Sequence, residues 1–166
     1  MKNNKGFTLV ELILYMSILS VLLSVLSAIF AMAVDVQLES QSTSVVEQDR
    51  SFIMARLSYD MLRASSISIP AALGGETNNF QILIGGVDYT YSINADGNLV
   101  VTNVLGTERL NSYDSSISGF SVKRLGNPGQ IEDTLKISFT ITSKTQRVSI
   151  GPETRSFETT LSLRRK

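Results

Sequence analysis

The hydrophobic and polar positions along the chain change period twice, and each change marks a new kind of element. From Phe7 to Val34, 22 of 28 residues are apolar or aromatic, and the 23 residues from Leu12 to Val34 carry no charge. At about 1.5 Å per residue, that uncharged run spans roughly 35 Å as a helix, enough to cross a hydrocarbon core of about 30 Å. A polar stretch, QLESQSTSVVEQDRSFIMARLSYDMLRAS, follows without proline or glycine, and within it Val46, Ile53, Leu57, Met61 and Ala64 recur at helical spacing, as do Val45, Phe52 and Tyr59. Arg50, Arg56, Asp60 and Arg63 lie beside this stripe. The pattern predicts an amphipathic continuation of the helix, stopped near Ser68 or Ile69 by Pro70.

Beyond the loop AALGGETNN the period falls to two. FQILI, VDYTYSI, LVVTNVL, ISGFSVKRL, TLKISFTIT and SFETTLSL alternate and are rich in β-branched and aromatic residues, which predicts strands. Gly85-Gly86 and Asn94 to Asn98 read as hairpin turns. The expected fold class is α+β: one long N-terminal helix, membrane-spanning in its first half and amphipathic in its second, packed on a C-terminal antiparallel β-sheet. The chain thus divides into a basic leader (1–6), a membrane-spanning helix (7–34), the outer half of the helix (35–69) and a sheet domain (70–166).

Composition narrows the chemistry. Fifteen basic and fifteen acidic side chains balance, so no cationic excess recruits nucleic acid. With no cysteine and no histidine, disulfides, Cys or His zinc sites, Cys nucleophiles and His-based triads are excluded. Asn94, Asp96 and Asn98 could offer oxygens to calcium, but the loop lacks the later acidic ligand, and a turn is the expected role. Glu132 and Asp133 read as solvated loop charges, and Lys123, Arg124, Lys144, Arg147, Arg164, Arg165 and Lys166 as exposed charges. No phosphate loop or nucleophile elbow is present. No cofactor, metal or catalytic group is expected.

Charge placement orients the anchor. Lys2 and Lys5 precede the apolar run and the next basic residue is Arg50, so the N-terminus is expected in the cytoplasm and the sheet domain outside. A secretory leader usually has an apolar region of only about 7 to 15 residues. Ala31-Met32-Ala33 fits a leader's cleavage site loosely, after too long a run. A plain signal anchor, a cleaved leader and a segment processed at its cytoplasmic edge are the competing readings. Glu11 separates them: a carboxylate in an apolar layer usually has a partner. A cut between Gly6 and Phe7 would supply one: a charged amine one helical turn from Glu11, in the same apolar layer, so that carboxylate and amine can neutralise each other between neighbouring copies.

The stretch KGFTLVEL resembles the cleavage and methylation motif of type IV prepilins and pseudopilins: a short basic leader, Gly6, Phe7, a threonine-containing apolar run and Glu11, before a long apolar helix. The resemblance implies that a membrane prepilin peptidase cuts after Gly6, that the Phe7 amine is methylated, and that Glu11 is an assembly contact. It implies as partners other pilin or pseudopilin subunits, the peptidase/methylase, an inner-membrane assembly platform, and membrane lipid before assembly. Ser17, Ser20, Ser24, Ser27 and Ala31 lie at spacings of 3, 4, 3 and 4 on one face, which either packs against neighbouring helices or bonds back to its own carbonyls. The segment RSFIMARLSYDMLRA with the later YTYSINADGNL is similar to J-type minor pseudopilins and W-type minor pilins. Many major subunits have a proline where Ala28 stands and a cysteine-closed C-terminal loop, and this chain has neither. The resemblance therefore implies a minor pilin or pseudopilin that initiates or caps a filament, with a DNA-uptake or adhesive tip pilin as the alternative and a secreted enzyme as a more distant rival.

Overall fold

The computed structural model describes residues 8–126, 133–146 and 151–163. Among these residues one helix, α1 (Leu9–Arg63), is followed by nine strands: β1 (Ser66–Ile69), β2 (Glu76–Thr77), β3 (Asn79–Ile84), β4 (Val87–Ile93), β5 (Leu99–Asn103), β6 (Gly106–Arg109), β7 (Ser115–Leu125), β8 (Thr134–Ser143) and β9 (Thr154–Ser162). The fold is α+β, as the sequence pattern predicts, and pilin-like, as the resemblance implies. All pairings are antiparallel. Instead of one sheet there are two, ordered β1-β3-β4-β5-β6 and β2-β7-β8-β9. They meet where the Ile117 amide donates to the Gly97 carbonyl at 2.7 Å.

α1 is about 80 Å long at 1.5 Å per residue, and its two halves meet different surroundings. No residue from Leu9 to Val34 is buried, whereas Val46, Ile53, Leu57, Met61 and Ala64 are buried against the sheets. Facing them are Tyr91 of β4 and the inward residues of two strictly alternating strands, Phe80, Ile82 and Ile84 of β3 and Leu135, Ile137, Phe139 and Ile141 of β8. The second predicted stripe is corrected. Phe52 and Tyr59 are 49% and 55% exposed, and the positions completing the buried face belong to Ser42, Asp49 and Asp60. At 3.6 residues per turn these three fall in line with Val46, Ile53 and Leu57, so position on the helix decides burial over hydrophobicity.

The helix also ends earlier than Pro70 suggests. Ala64 leaves the helical region, its amide still bonded to the Asp60 carbonyl, and the Ser65 amide already donates to the Leu83 carbonyl of β3. Ser66-Ile67-Ser68-Ile69 has the period of a strand, with Ile67 buried, and pairing with β3 wins over one more helical turn. LVVTNVL is likewise shortened. The Asn103 side chain accepts from the Leu105 amide at 2.8 Å and turns the chain into β6, a strand absent from the expectation, as are β1 and β2. At Gly85-Gly86 the expected hairpin turn is present, and both residues adopt the positive φ that a two-residue turn requires.

Leu57→Ala, at the centre of the buried face, is expected to cost about 2 to 5 kcal/mol, and Phe52→Ala under about 1 kcal/mol. Urea titration of the detergent-solubilised chain checks both.

Candidate functional site

The amino-terminal half of α1 holds the residues singled out in the sequence. Thr8 caps the helix, its hydroxyl accepting from the Glu11 amide at 3.3 Å. Thr8 and Glu11 have the spacing of a capping box, which places a carboxylate in the positive first turn of the helix. Glu11 also accepts a hydrogen bond from the Tyr15 hydroxyl at 3.4 Å. Gly6 and Phe7 lie outside the described residues.

Ser17, Ser20, Ser24, Ser27 and Ala31 are all exposed. Ser17 donates to the Leu14 carbonyl at 2.8 Å and Ser24 to the Ser20 carbonyl at 2.9 Å. In the single chain these two hydroxyls therefore bond back to their own helix. The same bonds hide their protons and leave a small, smooth surface, which suits close approach of another helix.

Below the sheets, two carboxylates on the buried face join the helix to the domain. Asp49 accepts from the Ser112 amide at 3.1 Å, from the Ser112 hydroxyl at 2.9 Å, and from the Ser115 hydroxyl. Asn111 extends this network: its amide group donates to the Ser115 carbonyl and hydroxyl at 3.1 Å, and its oxygen accepts from the Leu99 amide at 3.0 Å. Asp49 is thus tied to the first residue of β7 directly and to the first residue of β5 through Asn111. A buried carboxylate costs several kcal/mol unless hydrogen-bonded, and here three donors meet it.

Asp60 accepts from Arg56 Nε at 2.7 Å and from the Tyr91 hydroxyl. Tyr91 stacks on Phe80 with centroids 4.4 Å apart, and Arg56 also pairs with Glu108 of β6 at 3.3 Å. Burial, and then the bond to Asp60, push the Tyr91 hydroxyl well above the ordinary tyrosine value. The hydrogen bond to Asp60 likewise raises Arg56.

Among the charges read as exposed, Arg124 and Asp133 are corrected. They form a two-bond pair at 2.7 and 3.3 Å, and Arg124 also donates to the Pro70 and Ala71 carbonyls at 2.9 and 3.0 Å, pinning the β1–β2 loop to β7. Arg147, Glu132 and residues 164–166 lie outside the described residues. Asn94 closes the expected turn, its side chain accepting from the Asp96 and Asn98 amides at 3.1 and 2.9 Å. Among the described residues, no group of three or more His, Cys, Asp or Glu side chains is placed to hold a metal ion.

These observations describe a helix whose first half is largely apolar and unburied, with a glutamate in its first turn, and whose outer half is fixed by two buried carboxylates to a sheet domain. Residues 1–34 match the family model of the prokaryotic N-terminal methylation motif. The match supports membership of the type IV pilin family, whose members are structural subunits rather than enzymes. It implies processing by prepilin peptidase and assembly with other pilins, and together with the apolar helix it suggests a membrane-anchored chain. No curated protein and no solved structure matches the chain. Asp49, Asp60, Asn111 and Arg124 were not legible as structural anchors in the sequence, although the spacing of Asp49 and Asp60 from Ile53 and Leu57 marks both as inward.

The direction of the Tyr91 shift fixes a pH dependence. An unfolded tyrosine ionises near pH 10, whereas folded Tyr91 keeps its proton to higher pH, so its contribution is present below about pH 10 and is lost as pH rises further. Tyr91→Phe is expected to lower stability at neutral pH by about 1 kcal/mol or more and to flatten the fall between about pH 9 and 11. Denaturant midpoints of both forms across that range check it.

Proposed function

We propose that this chain is a minor pilin or pseudopilin, a non-catalytic subunit that helps to initiate or cap a type IV pilus or a type II secretion pseudopilus. The observation that carries this reading is the unburied apolar helix from Leu9 to Val34, continuous with a helix whose outer half is locked to a sheet domain. An apolar surface of that length needs lipid before assembly and neighbouring helices after it.

In this reading the chain is stored in the cytoplasmic membrane, N-terminus inside and sheet domain outside. Prepilin peptidase cuts between Gly6 and Phe7, and the new Phe7 amine is methylated without losing its charge. Glu11, half-buried even in the single chain, meets the Phe7 amine of an adjacent subunit as the helices leave the bilayer. The face bearing Ser17, Ser20, Ser24, Ser27 and Ala31 packs on a neighbouring helix. The minor-subunit assignment rests on the resemblance of Arg50–Ala64 and YTYSINADGNL to J-type and W-type subunits, and on Ala28 in place of a helix-breaking proline.

The mass of the N-terminus of the protein recovered from its native host tests the processing step. A chain starting at methylated Phe7 only when the prepilin peptidase is present supports the pathway, and an intact Met1 or a cut near Ala33 sinks it. Glu11→Ala is expected to leave the sheet domain folded and the chain in the membrane, and to reduce its recovery in sheared filaments by roughly tenfold or more, as loss of a buried charge pair implies.

A further inference from the structure

Sheet edges carry unpaired backbone groups, and soluble domains blunt them with short strands, bulges or proline. Among the described residues this fold has four edge strands. β2 has two residues, β6 four, and β1 four with a shift in register. β9 is different: nine residues, no proline or glycine, and an unbroken register with β8. Nothing among the described residues pairs with its outer side.

We infer that the outer edge of β9 is an interface for a second copy of this chain, which adds its own β6 edge as an antiparallel strand. The inference rests on the filament reading only in requiring copies whose helices point the same way. Strand direction supports it first. β9 climbs along the helix, since Ser42 meets Glu153, Glu47 meets Arg155 and Arg50 lies over Phe157. β6 and the residues after it descend, since Arg56 meets Glu108 and Asp49 meets Ser112. At 3.6 residues per turn Asp49 and Arg56 lie on one flank of Ile53, and Glu47 and Arg50 on the other. The two edges therefore sit on opposite sides of each copy, at similar heights and antiparallel. Copies set side by side with parallel helices bring β6 of one to β9 of the next, a head-to-tail contact that builds rings or helical arrays.

Backbone alternation gives a register. Ser143 donates to the Glu153 carbonyl and Leu163 to the Asp133 carbonyl, so the odd residues of β9 bond inward to β8. The outward amides and carbonyls belong to Thr154, Ser156, Glu158, Thr160 and Ser162. On β6, Leu110 donates to the Leu99 carbonyl, which leaves Thr107 and Arg109 outward by the same rule. Pairing Arg109, which lies over Tyr113 within its own chain, with Glu158, which meets Lys136 at 2.9 Å, extends that ion pair across the junction and places Thr107 against Thr160. Both pairs fall on the sheet face away from the helix, because Glu108 and Phe157 occupy the helix side. The same register lays the β5–β6 tip, Val104 and Leu105 at 79% and 91% exposed, beside the Leu161–Leu163 end of β9.

The absence of cysteine makes the test direct. In membranes of the native host, the full chain carrying Thr107→Cys and Thr160→Cys is oxidised and its adducts are sized. A ladder of dimers, trimers and larger species from the double variant, with monomer from each single variant, is the expected result. Arg109→Cys with Glu158→Cys should give the same ladder. Adding Ser156→Pro to that second pair, which deletes an outward amide and spares the bonds to β8, should lower the yield roughly tenfold. A dimer from Thr160→Cys alone, adducts only with a different protein, or no ladder from either pair would overturn the inference. The N-terminal mass of the same sample separates the two readings. Correct processing without a ladder removes the edge contact and leaves the pilin assignment, whereas a ladder on a chain that retains Met1 does the reverse.

Discussion

The whole molecule depends on one continuous helix meeting two incompatible environments. Its first half exposes a largely apolar surface, and its second half is packed against two sheets. The union is made on a single face, where Val46, Ile53, Leu57 and Met61 supply buried apolar area and Asp49 and Asp60 supply direction. Apolar burial is non-directional and permits a helix to slide or rotate. Two carboxylates bonded to donors from β4, β7 and the β6–β7 connection fix both the rotation and the height of the helix, because displacing either would leave a buried charge without partners.

That fixation explains the arrangement of the rest of the domain. Asn111 joins the Asp49 network to the start of β5, and the Gly97 carbonyl receives an amide from β7, so the five-stranded and four-stranded sheets are stitched together beside the outer half of the helix. Arg124 and Asp133 perform the same task at the far end, closing the β1–β2 loop onto β7. The chain has no disulfide, and these polar clamps take the place of a covalent one. They leave β6 and β9 flanking the helix on opposite sides, the geometry through which neighbouring copies can touch.

In the proposed filament, Glu11 would combine a local role with one between subunits. The Thr8 hydroxyl satisfies the Glu11 amide at the helix start within one chain, and the carboxylate, bonded to Tyr15 at 3.4 Å, keeps acceptor capacity for a further donor. The serine face behaves similarly. Hydroxyls that bond to their own carbonyls are tolerated in lipid, and the small side chains still allow a second helix to approach.

The sequence by itself determined the long helix, its apolar first half, the glutamate in the first turn, and six of the strands, because each depends on a local period of 3.6 or 2 or on residues a few positions apart. It also determined the Gly85-Gly86 turn, whose backbone few other residues could adopt. Tertiary structure alone decided that the strands split into two sheets, that residues 66–69 pair with β3 rather than extend the helix, and that Phe52 and Tyr59 yield the buried face to Asp49 and Asp60. Those outcomes depend on partners as many as 66 positions away, Asp49 with Ser115 being the extreme within that network. A buried aspartate and an exposed one look alike until the donors that would solvate it inside the protein have been brought to it by the fold.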